Sequence, residues 1–197
     1  MKHEWKKSEK ELYMPKAKPE KLSVPKYKYF VIEGNGQIGD SSGICAEDFK
    51  DRAEVLNRVS NAIKNMPKRG FYPGGYFEYI PYPLEMLIDS VGTNYKLMIR
   101  QPEFVTSSVA RMAVTSVVSA NPHPLINEVS FVSVEDGNSV QLMHVGTNEK
   151  GGIDLLIKFI EENELKRRNT EYKKIFINDP IKTEPSKLKT VIRLMVQ

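Results

Sequence analysis

The chain has 197 residues, with 29 Lys and Arg against 25 Asp and Glu, a net charge of +4 and an isoelectric point near 9.0. Forty per cent of the residues are hydrophobic and 27% are charged, which excludes disorder and leaves enough chain for a substantial core. The single cysteine excludes an internal disulfide, no Cys/His cluster has zinc spacing, and no apolar run is long enough to cross a bilayer.

The positive charge belongs to the ends. Residues 1–28 carry nine Lys against four Glu, and residues 164–197 carry nine basic against four acidic residues. The stretch between them, 29–163, has 11 basic and 17 acidic residues and a net charge of −6. Such a distribution reads as solvated surface and argues against nucleic acid as a partner. The start, Met1 to Lys7, lacks the apolar core of a secretion signal, so a soluble cytoplasmic protein without metal, cofactor or membrane association is expected.

Residues 1–26 read as a basic N-terminal arm, in which Pro15, Pro19 and Pro25 block long regular structure and Trp5, Leu12 and Tyr13 can pin it to the body. The aromatic and β-branched run Tyr27–Glu33 predicts a strand, followed by a glycine-rich loop. Phe49, Ala53, Leu56, Ser60 and Ile63 mark one face of a helix over 46–66, closed by Pro67 and Gly70. Two strands, Tyr76–Asp89 and Asn94–Gln101, follow as a hairpin through 90–93, with Pro81 and Pro83 forcing a bulge or an edge position. A helix over Thr106–Ala120 leads to a short strand, Val129–Val134, and a hairpin turn at 135–138. Ser139–Val145 then predicts a strand, Ile153, Leu156, Ile157 and Ile160 an amphipathic helix, and Tyr172–Asn178 and Thr190–Val196 two more strands.

Both halves therefore read β-α-β-β, over 27–101 and 139–197, with 102–138 as a bridge. The expected fold is α+β: two pseudosymmetric repeats in a mainly antiparallel sheet, helices on one face and a ligand cleft on the other.

Gly34-Asn35-Gly36-Gln37-Ile38-Gly39 matches a dinucleotide fingerprint, but Asp40 to Gly43 intervene before any helix and the strands that follow form a hairpin. It reads as a loop. Glu85 stands in the otherwise apolar strand Tyr82–Ile88, where alternation places Leu84, Met86 and Ile88 toward a helix and Phe77, Tyr79, Glu85 and Leu87 toward the cleft. A carboxylate there attracts a cationic or polarised ligand or acts as an acid or base, unless it lies at a sheet edge in water or is paired structurally with Arg100 on the neighbouring strand. The same alternation turns Ile175 and Ile177 toward the helix and Tyr172, Lys174 and Phe176 toward the cleft, opposite Glu85. His144 has no second His to form a metal or catalytic couple and reads as a hydrogen-bonded structural residue, and Cys45 as an incidental thiol.

Several stretches occur together in order: Met1–Lys7, Tyr82-Pro83-Leu84-Glu85, Leu97–Pro102, Asn121–Leu125, Met143–Gly146, Asp179-Pro180 and Pro185–Arg193. Through them the chain resembles, end to end, the stand-alone GyrI-like small-molecule-binding proteins of bacteria, within the GyrI/SOUL-like superfamily. The resemblance implies two SHS2-type modules around a ligand cleft with Glu85 as its glutamate. It also implies one of three functions: multidrug binding, hydrolysis that opens cyclopropane rings of alkylating natural products, or modulation of gyrase as a protein-interaction module. Met86 and Ile88 stand where the family has Gly and Trp, and Lys173-Lys174-Ile175-Phe176 where it has His-Glu-Ile-Tyr. Phe176 has no hydroxyl to donate, which favours binding over catalysis. The expected ligand is a small hydrophobic or cationic molecule held by Glu85, Phe77, Tyr79, Phe176, Tyr172 and Arg100, with Glu85 the catalytic residue only if the protein is an enzyme. The oligomeric state is left open.

Overall fold

Strand β1 runs over Glu20–Asn35, beginning seven residues before the aromatic stretch that predicts it. Its ladder with β4 skips Pro25, which has no N–H to give, and resumes at Lys26. The computed structural model describes residues 2–35, 47–89 and 94–197. Most of the glycine-rich loop after Asn35, Cys45 and the turn at 90–93 lie outside the described residues.

The order after β1 is α3 (Glu47–Lys64), β2 (Leu84–Ile88), β3 (Asn94–Gln101), α4 (Ser107–Ala120), β4 (Ser130–Val145), α5 (Lys150–Glu162), β5 (Tyr172–Phe176) and β6 (Lys189–Met195). Two single-turn helices, α1 (Trp5–Ser8) and α2 (Lys10–Tyr13), precede them. All strand pairs are antiparallel, and the sheet closes into a barrel in the order β1-β3-β2-β5-β6-β4. The expected open sheet with an uncovered face is thus replaced by a ring, because β2 pairs with β5 and joins the halves.

The helices form where apolar spacing predicts them. Phe49, Ala53, Leu56, Ser60 and Ile63 of α3 are all buried, and with α4 they pack on Phe30, Ile32, Met86, Ile88 and Leu97 outside the ring. Thr106 caps α4, its hydroxyl accepting from the Val109 N–H at 3.3 Å. Leu156 and Ile160 of α5 pack on Val140, Leu142, Ile192 and Leu194. Pro81 and Pro83 delay β2 to Leu84, so its paired length is five residues.

The hairpin expected at 135–138 does not form. Strand β4 continues through it, with Glu135 paired to Lys26 and Asn138 to Ser23, and Gly137 takes φ 65° within the ladder. Val134, before this glycine, packs inside the ring with Tyr29 and Val31. Beyond it the inward set changes parity, with Val140 and Leu142 facing α5 while Gln141 reaches the interior. Among the described residues no helix is long and apolar enough to cross a membrane.

Candidate functional site

Directly paired residues share a face, so the ladder registers trace the inner wall. Val31 pairs with Met98, Met98 with Glu85, Glu85 with Ile175, and Ile175 with Val191. One step along the strands, Leu87 pairs with Lys173, Lys173 with Arg193, and Arg193 with Gln141. The first level is apolar except for Glu85, and the second sets Lys173, Arg193 and Gln141 beside Leu87.

Glu85 lies inside the ring, 1% exposed. Lys173 Nζ stands 3.2 Å from its Oε2, an ion pair without the angles of a hydrogen bond. Lys173 donates more directly to both oxygens of Asp136, at 2.7 and 2.9 Å. Arg193 Nη1 donates to Asp136 at 3.0 Å, while its Nε and Nη2 donate to the Gln141 side-chain oxygen at 3.1 and 2.9 Å. Burial alone would raise the Asp136 carboxyl, but Lys173 and then Arg193 outweigh it and hold the group below its ordinary value. Burial, then the Glu85 carboxylate, holds the phenols of Tyr13 and Tyr29 well above theirs, so both stay neutral near pH 7.

The N-terminal arm covers one end of this interior. Arg193 Nη2 donates to the Leu12 carbonyl at 2.9 Å, and the Gln141 amide donates to the Glu11 carbonyl at 2.6 Å. Arg100, on the same face as Glu85, is paired with Glu9 of the arm and donates to the Tyr13 hydroxyl at 3.1 Å. Its guanidinium lies 3.3 Å from the ring centre of Tyr27 and 4.3 Å from that of Tyr82.

The expected site residues do not converge. Phe176 and Tyr172 lie outside the ring, opposite in face to Glu85, and the Glu85 partner on β5 is Ile175. Their facing is reversed because Tyr172–Phe176 carries one Lys on each face, so alternation alone gives no direction, and the inward Lys173 is held there by Asp136. Phe176 packs edge-on to Phe49 of α3 at 6.2 Å. Tyr79 is buried against Phe104 in the loop before β2, and Phe77 beside it is 36% exposed. His144 lies beside Gly152 of α5 with its Nε2 buried and unbonded among the described residues, rather than hydrogen-bonded.

A concave site exists elsewhere. An open groove of about 740 Å³ runs between α3 and the chain after β5. Lys50, Ala53, Glu54, Asn57 and Asn61 line it along one α3 face, with Trp5, Tyr82, Leu84, Phe176 and Ile181 opposite. Glu85 does not line it. The two prolines that delay β2 keep 81–83 out of the sheet and leave this gap. The Trp5 indole donates to the Pro81 carbonyl at 2.8 Å. Asp179 shapes the far rim, accepting from the Ile181 N–H at 2.9 Å and the Lys182 N–H at 3.3 Å. Lys50 and Glu54 on α3, and Lys182 paired with Asp179 at 3.8 Å on the far rim, leave the walls without net charge. Periodicity singles out neither Asn57 nor Lys50, because both are polar residues on a helix; the Asp179-Pro180 turn and Trp5 are the visible signals.

The whole chain is similar to a hydrolase from Listeria innocua. The two are 28% identical over 100% of both chains, with a TM-score of 0.89. An uncharacterized conserved protein from the same organism gives 28% identity, 100% coverage of both chains and a TM-score of 0.88. The EcmrR C-terminal domain shares the fold at 12% identity, with a TM-score of 0.58 over 91% of this chain and 97% of that one. No family model matches the sequence, and no curated protein matches it.

Proposed function

We propose that the protein binds a small, largely apolar molecule in the groove between α3 and residues 176–182, as a GyrI-like binding protein. The observation that carries this reading is a groove of about 740 Å³ with Trp5, Tyr82 and Phe176 in its wall, within the size range of small-molecule sites. Its balanced charges favour a neutral aromatic ligand over a cation. Glu85 then holds the barrel together through Lys173 and does not touch the ligand. Titration with Nile red, a neutral dye, and rhodamine 6G, a cationic one, tests this in wild type, Asn57→Trp and Glu85→Gln. Asn57 is exposed on α3, so the indole fills the groove without disturbing the core. At least tenfold weaker Nile red binding in Asn57→Trp, with Glu85→Gln unchanged, is expected. The opposite pattern would move the site into the barrel.

Hydrolysis is the second reading, favoured by the full-length similarity to a hydrolase. Water activation in the groove would fall to Glu54 or Asp179, since Phe176 offers no hydroxyl and Glu85 faces inward. Incubation with a cyclopropane-containing alkylator, followed by chromatography, tests it; an unchanged substrate would refute it.

A further inference from the structure

The helical turns of the arm, α1 and α2, are four residues each, far below the length at which a helix holds itself in water. Their shape therefore depends on where they are tied. Trp5, the sole tryptophan, belongs to this arm and also forms part of the groove wall. Tyr82 is the neighbouring part of that wall, and its hydroxyl donates to Glu9 Oε1 at 3.1 Å. The other oxygen of Glu9 is paired with Arg100, whose guanidinium stacks on the Tyr82 ring. His3 Nε2 lies 2.8 Å from Glu9 Oε1, which ties the start of the arm to the same carboxylate. Arg100 is buried, and its Nε has no hydrogen-bond partner among the described residues, so Glu9 is its charged partner there.

We infer that Glu9 and Arg100 are positioning residues for the groove: their ion pair docks the arm and so sets Trp5 and Tyr82 as its aromatic wall, although neither charged residue lines it. The inference rests on the proposed binding reading and adds its control. A ligand that touches Trp5 and Tyr82 binds only the docked arm, so binding and docking stabilise each other. Removing the Glu9 charge leaves Arg100 buried without a counter-charge, and a buried guanidinium in that state favours opening the arm to water.

Trp5 fluorescence reports docking, and Nile red reports the groove. Wild type, Glu9→Gln and Arg100→Lys are compared with Glu4→Gln, which removes an arm charge that, among the described residues, pairs only within the arm, with Lys7. Acrylamide quenching of Trp5 should rise in Glu9→Gln and Arg100→Lys, and their Nile red affinity should fall by roughly tenfold or more. Both readouts should stay at wild-type values in Glu4→Gln. Saturating Nile red should protect Trp5 from acrylamide in wild type. A merely structural role predicts a lower denaturation midpoint with unchanged affinity at temperatures where all variants are folded. Unchanged affinity with an exposed Trp5 overturns the coupling while leaving the groove as a site. Unchanged quenching in Glu9→Gln overturns the docking role. Wild type that binds no Nile red overturns both the groove reading and this inference.

Discussion

Asp136→Asn removes one charge from the interior while keeping the shape of the side chain. The amide keeps one of the two oxygens that Lys173 contacts at 2.7 and 2.9 Å and turns the other into an NH2 donor, so the off-axis pair with Glu85 at 3.2 Å becomes the only ion pair of Lys173 among the described residues. Arg193 loses its carboxylate partner but retains Gln141 and the Leu12 carbonyl. Breaking one partner out of a buried charge network costs about 3–5 kcal/mol, and in a chain of this size that lowers the melting temperature by roughly 6–20 °C. The loss depends on pH with a defined sign. Because the Asp136 carboxyl is depressed in the folded state, its contribution is complete above the unfolded value of about 3.9 and fades as pH falls below it. Urea unfolding followed by circular dichroism at pH 7, 5 and 4, with a further point in stronger acid if wild type remains folded, measures the gap between wild type and variant. It should be constant from pH 7 to 5 and narrow in acid. A loss under about 1 kcal/mol at pH 7, or a gap that widens in acid, would refute the reasoning.

Three further outcomes are expected. Gly34→Ala should destabilise by about 1–3 kcal/mol in the same unfolding assay, because a Cβ there would stand 2.2 Å from Cζ of Tyr95, whose hydroxyl donates to Asp48 on α3 at 2.7 Å. Phe176→Ala should cost about 3–5 kcal/mol, since the ring is buried against Phe49, and unfolding midpoints check it. The Tyr172 phenol, pushed up to about 12 by burial and then by Glu149, should remain neutral at pH 10 by ultraviolet difference titration of wild type against Tyr172→Phe.

The helices and most strands are legible in the sequence because each depends on one local periodicity. Phe49, Ala53, Leu56 and Ile63 point one way on a 3.6-residue turn wherever α3 finally packs. The facing of β5 is not legible, since Tyr172-Lys173-Lys174-Ile175-Phe176 has the same polarity read from either side. Asp136-Gly137 carries a strong turn signal, yet the ladder to β1 absorbs the left-handed glycine as an irregularity of one strand. Gly34, the first glycine of the apparent nucleotide fingerprint, is required for the Tyr95 ring that lies over it. The groove depends on Trp5, on one face of α3, on 81–84 and on 176–182, stretches that only the closed ring brings together.

Strand β6 sits between β4 and β5 and hydrogen-bonds to both, although both precede it in the chain. The ring therefore stays open until residues 189–195 are in place. Before that, β4 and β5 each lack a neighbour on one side, and strand edges of that kind are where chains pair wrongly with one another. Among the described strands the closed ring leaves none without a neighbour on either side, so protection from edge-to-edge association arrives only when β6 joins.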